Sequence, residues 1–113
     1  MICGSRVITD EQFVFNIIDE YVAKLPDDVI VIEGEAYGVD LIAKKWAITH
    51  NKQIMSFPAQ WDKYGKSAGF RRNYDMVEAC DQCLIFWNGQ SKGTKHDIEL
   101  CKKSAKPYTI IAV

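Results

Sequence analysis

Four stretches of the chain combine small residues, hydroxyls and charged groups in ways that suit an anion. Gly4-Ser5-Arg6 sets a glycine, a hydroxyl and a guanidinium side by side. Gly34-Glu35-Ala36-Tyr37-Gly38-Val39-Asp40 and Asn88-Gly89-Gln90-Ser91-Lys92-Gly93-Thr94 are glycine-containing loops that run into helical patterns. Glycine lets backbone N–H groups approach a phosphate, and a helix start presents unpaired donors at the positive end of its dipole. None of these loops has the spacing of a Walker A loop or of the dinucleotide fingerprint. The fourth stretch, residues 58–73, places Trp61, Tyr64 and Phe70 among Lys63, Lys66, Arg71 and Arg72, with Asp62 as its one acid. Aromatics beside cations suit a base to be stacked and phosphates to be gripped.

Each of these residues also has a structural reading. Tight turns need glycine whatever they bind. Asp40 and Asp97 stand in first-turn positions of helices, where an acid complements the dipole. Trp61 and Tyr64 can pin a long loop to the body of the protein. Trp46 lies on a helical apolar stripe and reads as core. Cys80-Asp81-Gln82-Cys83 has the C-x-x-C spacing of metal or redox sites, yet it straddles a helix end and a strand start with no second pair at zinc-ribbon distance, so packing is the better account. No metal site is expected.

The elements that must position these groups alternate along the chain. Met1–Cys3 is a short apolar start, and Thr9 reads as the N-cap of a helix whose face is Val14, Ile17, Ile18, Tyr21 and Leu25. Val29–Ile32 is a β-branched run, apolar on both faces. Val39, Ile42, Ala43, Trp46 and Ala47 mark a second helix, and residues 53–57 a third strand. Residues 58–70 read as a long loop, residues 71–80 as a short helix, residues 83–87 as a strand. A last helix carrying Ile98, Cys101 and Ala105 leads to a strand over residues 108–113. This β-α-β-α-β-α-β-α-β order predicts a Rossmann-like, three-layer α/β/α domain with a five-stranded parallel sheet. Strand order 3-2-1-4-5 is expected, and a flavodoxin-like order is the other arrangement the pattern allows. In both, ligands belong outside the carboxyl ends of the strands, which is where the four stretches fall.

Composition bounds the rest. At 113 residues with 48% apolar side chains the chain has the size and the core of one domain. Fourteen basic and fifteen acidic side chains give a net charge of −1, which argues against a duplex-DNA binder. No apolar run is long enough for a membrane span and no leader pattern opens the sequence. With four cysteines, too few for a disulfide scaffold, a cytoplasmic location is expected.

Taken together, Gly4-Ser5-Arg6, the Gly-x-x-x-Gly-Val-Asp of residues 34–40, Phe57-Pro58-Ala59-x-Trp61-x-x-Tyr64-Gly65-Lys66-x-Ala68-Gly69, Arg72-Asn73-x-x-Met76 and Lys92-Gly93-Thr94 resemble the YspA/cpYpsA-related branch of the SLOG superfamily. The similarity spans nearly the whole chain. It implies a Rossmann-like domain that binds a nucleotide or a nucleotide-derived ligand, in a bacterial or phage protein, with no bound cofactor and with homodimers common among relatives. It implies ligand contacts from Gly4, Ser5, Arg6, Gly34, Glu35, Gly38, Asp40, Trp61, Tyr64, Lys66, Arg72, Asn73, Asn88, Gly89, Ser91, Lys92, Gly93 and Thr94. The superfamily includes the lonely-guy phosphoribohydrolases, in which an arginine and a glutamate act together. Arg72 resembles the first, and Asp97 stands where the second would be. A hydrolase in which Arg72 orients a phosphate while Asp97 or Asp40 stabilises positive charge or activates water is therefore the alternative reading. The superfamily also includes the DprA proteins, which bind single-stranded DNA, and the basic aromatic stretch makes a single-strand module the third.

Overall fold

A computed structural model describes residues 1–113, all of the chain. Five strands alternate with helices: β1 (Ile2–Gly4), α1 (Glu11–Val22), β2 (Ile30–Glu33), α2 (Val39–Thr49), β3 (Gln53–Ser56), α3 (Trp61–Tyr64), α4 (Ala68–Ala79), β4 (Cys83–Trp87), α5 (Lys92–Lys103) and β5 (Tyr108–Ala112). All strand pairs are parallel.

Side chains alternate across the strands and build two cores. Ile2, Val31, Leu84 and Phe86 point to one face, where they meet Val14 and Ile18 of α1 and Val39, Ala43, Trp46 and Ala47 of α2. Cys3, Ile32, Cys83 and Ile85 point to the other, against Met76 and Val77 of α4 and Ile98 and Cys101 of α5. This is the pattern of strands covered on both sides. Trp46 is core, as its position on the stripe predicts, and its ring N–H donates to Asp19 on α1. The C-x-x-C thiols are buried as well, with Cys83 Sγ 3.5 Å from Cys80 Sγ and 3.0 Å from Cys101 Sγ.

The expectation of one five-stranded sheet is corrected. Hydrogen bonds join β1, β4 and β5 into a three-stranded sheet in the order β1-β4-β5, and β2 and β3 into a separate pair. β1 lies beside β2 without a ladder between them. At their amino ends the two strands part around an apolar cavity of about 410 Å³ lined by Met1 and Ile2 on one side and residues 29–32 on the other. Apolar side chains line this seam where backbone bonds would otherwise run, and Ile30 is left exposed.

Two local readings also change. Asp10, not Thr9, caps α1, its Oδ1 accepting from the Phe13 amide at 3.1 Å. The stretch 58–70 is not a long loop: α3 and a 3-10 turn over Gly65–Ser67 lead directly into α4, which starts at Ala68 instead of Arg71. Residues 60–67 are all exposed, so no apolar period marks these turns.

Candidate functional site

The carboxyl ends of β1, β2 and β4 open on a polar cleft of about 440 Å³. Gly4, Ser5 and Arg6 enter it from the end of β1, Asp40 from the first turn of α2, and Arg72 and Asn73 from α4. Asn88, Ser91, Gly93, Thr94 and Asp97 enter from the β4–α5 loop and the start of α5.

Local bonding fixes each of these groups. Asn88 folds the β4–α5 loop by accepting from the amides of Gln90 at 2.9 Å and Ser91 at 3.0 Å. Ser91 then caps α5, its hydroxyl accepting from the Thr94 amide. The amides of Lys92 and Gly93 have no acceptor within the chain, as is normal for a first helical turn. Ser5 is buried, and its hydroxyl accepts from Asn88 Nδ2. Asn73, also buried, reaches from α4 to the Gly93 carbonyl and to His96.

Arg72 is held in place. Its Nε donates to Asn73 Oδ1 at 2.9 Å and its Nη1 donates to the Gly34 carbonyl. Nη2 has no partner in the chain, and Arg72 lines the cleft with donors to spare. Gly34 makes this possible, since a Cβ there would lie 2.5 Å from Arg72 Nη1. Gly38 serves the same wall from behind. It has φ +82°, and a Cβ would lie 2.5 Å from the Ser5 carbonyl oxygen, so α2 approaches the β1 loop only through a glycine.

Two buried carboxyls share the cleft. Asp40 Oδ2 accepts from the amides of Gly34 at 3.1 Å and Ala36 at 3.4 Å, and so holds the β2–α2 loop. Burial pushes its pKa up to about 7, against the lowering effect of Arg72. Burial likewise pushes Asp97 to about 7; the neighbouring Cys3 thiol and Arg72 lower it, and Asp40 raises it. Asp97 Oδ1 is buried with no hydrogen-bond partner.

The structure does not bring all of the expected contact residues to this cleft. Gly34, Glu35 and Trp61 line an adjoining hollow of about 230 Å³, which shares Arg6, Ala36 and Arg72 with the main cleft. Glu35 is paired there with Lys44 at 2.6 Å. Tyr64 faces a third hollow with Lys63 and Arg71, and the Arg71 guanidinium covers its ring at 4.4 Å. Lys66, Gly89 and Lys92 are exposed and do not line the main cleft. Conversely, Cys3 and Met76, neither of them among the expected contact residues, line it. Glu33 is fully buried and accepts from the Glu35 amide at 2.7 Å and from the Ser56 hydroxyl. The only sequence signal for Glu33 is an acid closing the apolar run Val29–Ile32.

No helix is long and apolar enough to cross a membrane. No solved structure gives a significant match to the chain. The Gene 61 protein of Mycobacterium phage D29 is 34% identical over 113 residues, an alignment that covers 95% of this chain and 90% of the phage protein. Residues 1–64, which contain the β1 loop, the β2–α2 loop and Trp61, match the YAcAr family, described as the YspA, cpYpsA-related SLOG family. With more than half of its length matched and a relative similar along almost all of it, the chain belongs to the YspA, cpYpsA-related SLOG family.

Proposed function

We propose that the chain binds a nucleotide or nucleotide-derived ligand, with a phosphate held between Arg72 and the open amides of α5 and the base lying toward Trp61. The observation that carries this reading is the convergence in one polar cleft of a fixed guanidinium, the buried Ser5 hydroxyl and a helix start with unpaired N–H groups. The hollow beside Trp61 meets this cleft at Arg6 and Arg72, which suits a ligand with an anionic end and a flat apolar end. Family membership supports a nucleotide-related role of this kind.

The test is a thermal-shift screen against nucleoside mono-, di- and triphosphates, ADP-ribose, cyclic dinucleotides and NAD. A ligand at 100 times its Kd adds about 2.7 kcal/mol of stability. The shift is expected to disappear in Arg72→Gln, whose circular dichroism spectrum stays that of the parent. A panel that leaves the melting temperature unchanged contradicts the reading.

A second reading, hydrolysis of an N-glycosidic or phosphate bond in the same ligand, is favoured by one observation. Two carboxyls that titrate near neutrality lie in the cleft with Arg72, as general acid–base chemistry requires. Chromatography of the incubated ligand separates the readings: intact ligand means a binding domain, and released base or phosphate that is lost in Asp97→Asn means an enzyme.

A further inference from the structure

We propose that Asn73 is the positioning residue of this site: its carboxamide ties the Arg72 guanidinium to the start of α5, in an order of hydrogen bonds that only a neutral His96 ring completes. The proposal rests on the phosphate-binding reading above and adds to it what aims the guanidinium and how pH reaches it.

The carboxamide sits where three groups meet. Asn73 is 5% exposed, and its Oδ1 accepts from Arg72 Nε at 2.9 Å. Its Nδ2 lies 3.4 Å from the Gly93 carbonyl oxygen and 3.3 Å from His96 Nδ1. Two of these partners can each play one part only. Arg72 Nε–H donates and the Gly93 carbonyl accepts, so turning the amide round would set donor against donor and acceptor against acceptor. The third contact is thereby fixed. His96 Nδ1 faces an N–H and must accept, which requires a neutral ring with its proton on Nε2. A protonated ring would place one N–H against another.

His96 does not line the cleft, whereas Asn73, Arg72 and Gly93 do. Gly93 carries one of the open amides of α5, so a single carboxamide joins the two donor groups that would hold the phosphate. Neighbouring residues of a helix do not ordinarily face each other. The Arg72–Asn73 bond therefore sets a side chain that would otherwise be aimed by the Gly34 carbonyl alone. From α4 the His96 ring meets Asn73 and the Phe70 ring, the latter at 4.5 Å between centroids, and neither is charged. Partial burial holds the His96 pKa below the ordinary histidine value, against the raising effect of Glu99 on its own helix. At neutral pH the ring is in the state that the carboxamide needs.

The experiment is calorimetric titration of the full chain with adenosine 5′-monophosphate between pH 5 and 8, beside nitrogen-15 NMR of the His96 ring and of Arg72 Nε–H. At pH 7.5 Asn73→Ala is expected to bind about tenfold more weakly with its circular dichroism spectrum unchanged, and its Arg72 Nε–H to exchange faster with water. His96→Phe keeps a ring against Phe70 without a group that titrates. Relative to it, the parent is expected to lose roughly fivefold in affinity from pH 7 to pH 5. The nucleotide's own phosphate titrates alike for both proteins and cancels in the difference. Asn73→Asp keeps the acceptor for Arg72 and loses the donor, so the His96 titration is expected to move to higher pH and the loss on the acid side to become a gain. Asn73→Ala that binds as tightly as the parent, or a parent ring protonated on Nδ1 at pH 7.5, overturns the proposal and leaves the site reading standing. Should Asn73→Ala fail to fold, the parent and His96→Phe decide, and coinciding pH profiles for these two overturn the proposal as well. If neither the nucleotide nor inorganic phosphate binds to the parent, the site reading falls and this proposal falls with it.

Discussion

The β2–α2 and β4–α5 loops are alike in sequence and different in state. Each follows a strand, carries two glycines, runs into a helix and places an aspartate in or near the first helical turn. Both aspartates are buried and both are pushed to about 7. Asp40, however, is satisfied by its own loop through the amides of Gly34 and Ala36. Its helix begins at Gly38, which has no side chain to cap it. In the β4–α5 loop the capping is done by Ser91 and the loop is folded by Asn88, which leaves Asp97 with a free oxygen. An acid near the start of a helix can therefore close a loop on itself or be left with an unpartnered oxygen, depending on which neighbour has already supplied the bonds.

Substitutions can break this comparison at points of decreasing weight. Gly38→Ala strikes the backbone on which the first loop depends, forcing a side chain into left-handed geometry and onto the Ser5 carbonyl. It is expected to lower stability by about 2–4 kcal/mol in urea unfolding; a loss below about 1 kcal/mol would mean that α2 shifts freely and does not brace the cleft wall. Asp40→Ala leaves two amides without their acceptor and is expected to lose roughly 1–3 kcal/mol, whereas Asp40→Asn keeps a carbonyl oxygen and loses less. Equal losses in the two variants would remove the loop-closing role from Asp40.

The smallest effect concerns Asp97 and has the opposite sign. Its pKa is raised on folding, so between about pH 4 and 7 the folded chain holds a proton that the unfolded chain has released. Stability from this group is full below that window, is lost as pH rises through it, and stays lost above. Asp97→Asn removes the penalty and is expected to gain roughly 1 kcal/mol at pH 8 and little at pH 4, read as the difference between two melting curves. Asp40 contributes a fall in the same window, so the variant flattens the parent's profile only in part. A variant that is less stable than the parent at pH 8 would mean that the Asp97 carboxylate is partnered after all.

The alternation of strands and helices is legible because β-branched runs such as residues 29–32 and the helical stripe ending at Trp46 and Ala47 report burial directly. Burial patterns do not report which strands exchange hydrogen bonds, and so the separation of β1 from β2 is invisible in the sequence. The turns over residues 61–67 bury nothing, so composition there shows basic and aromatic content but not helix. The same limit explains why Tyr64 and Lys66 look like partners of Arg72 in sequence and lie apart from the main cleft in space: one helical turn sends Tyr64 toward Arg71. The glycine loops announce the carboxyl edge of the sheet. The contrast between Asp40 and Asp97 depends on which amides lie within reach, and that is decided only when the loops have folded.

The central claim is that an anion sits on the start of α5 beside Arg72. Amide and guanidinium NMR during titration with adenosine 5′-monophosphate tests it most directly. The largest shifts are expected at the open amides of Lys92 and Gly93 and at the Arg72 guanidinium, with smaller ones at Ser5 and at the Trp61 indole. Shifts confined to residues 61–71, or no shifts at millimolar nucleotide, would contradict it.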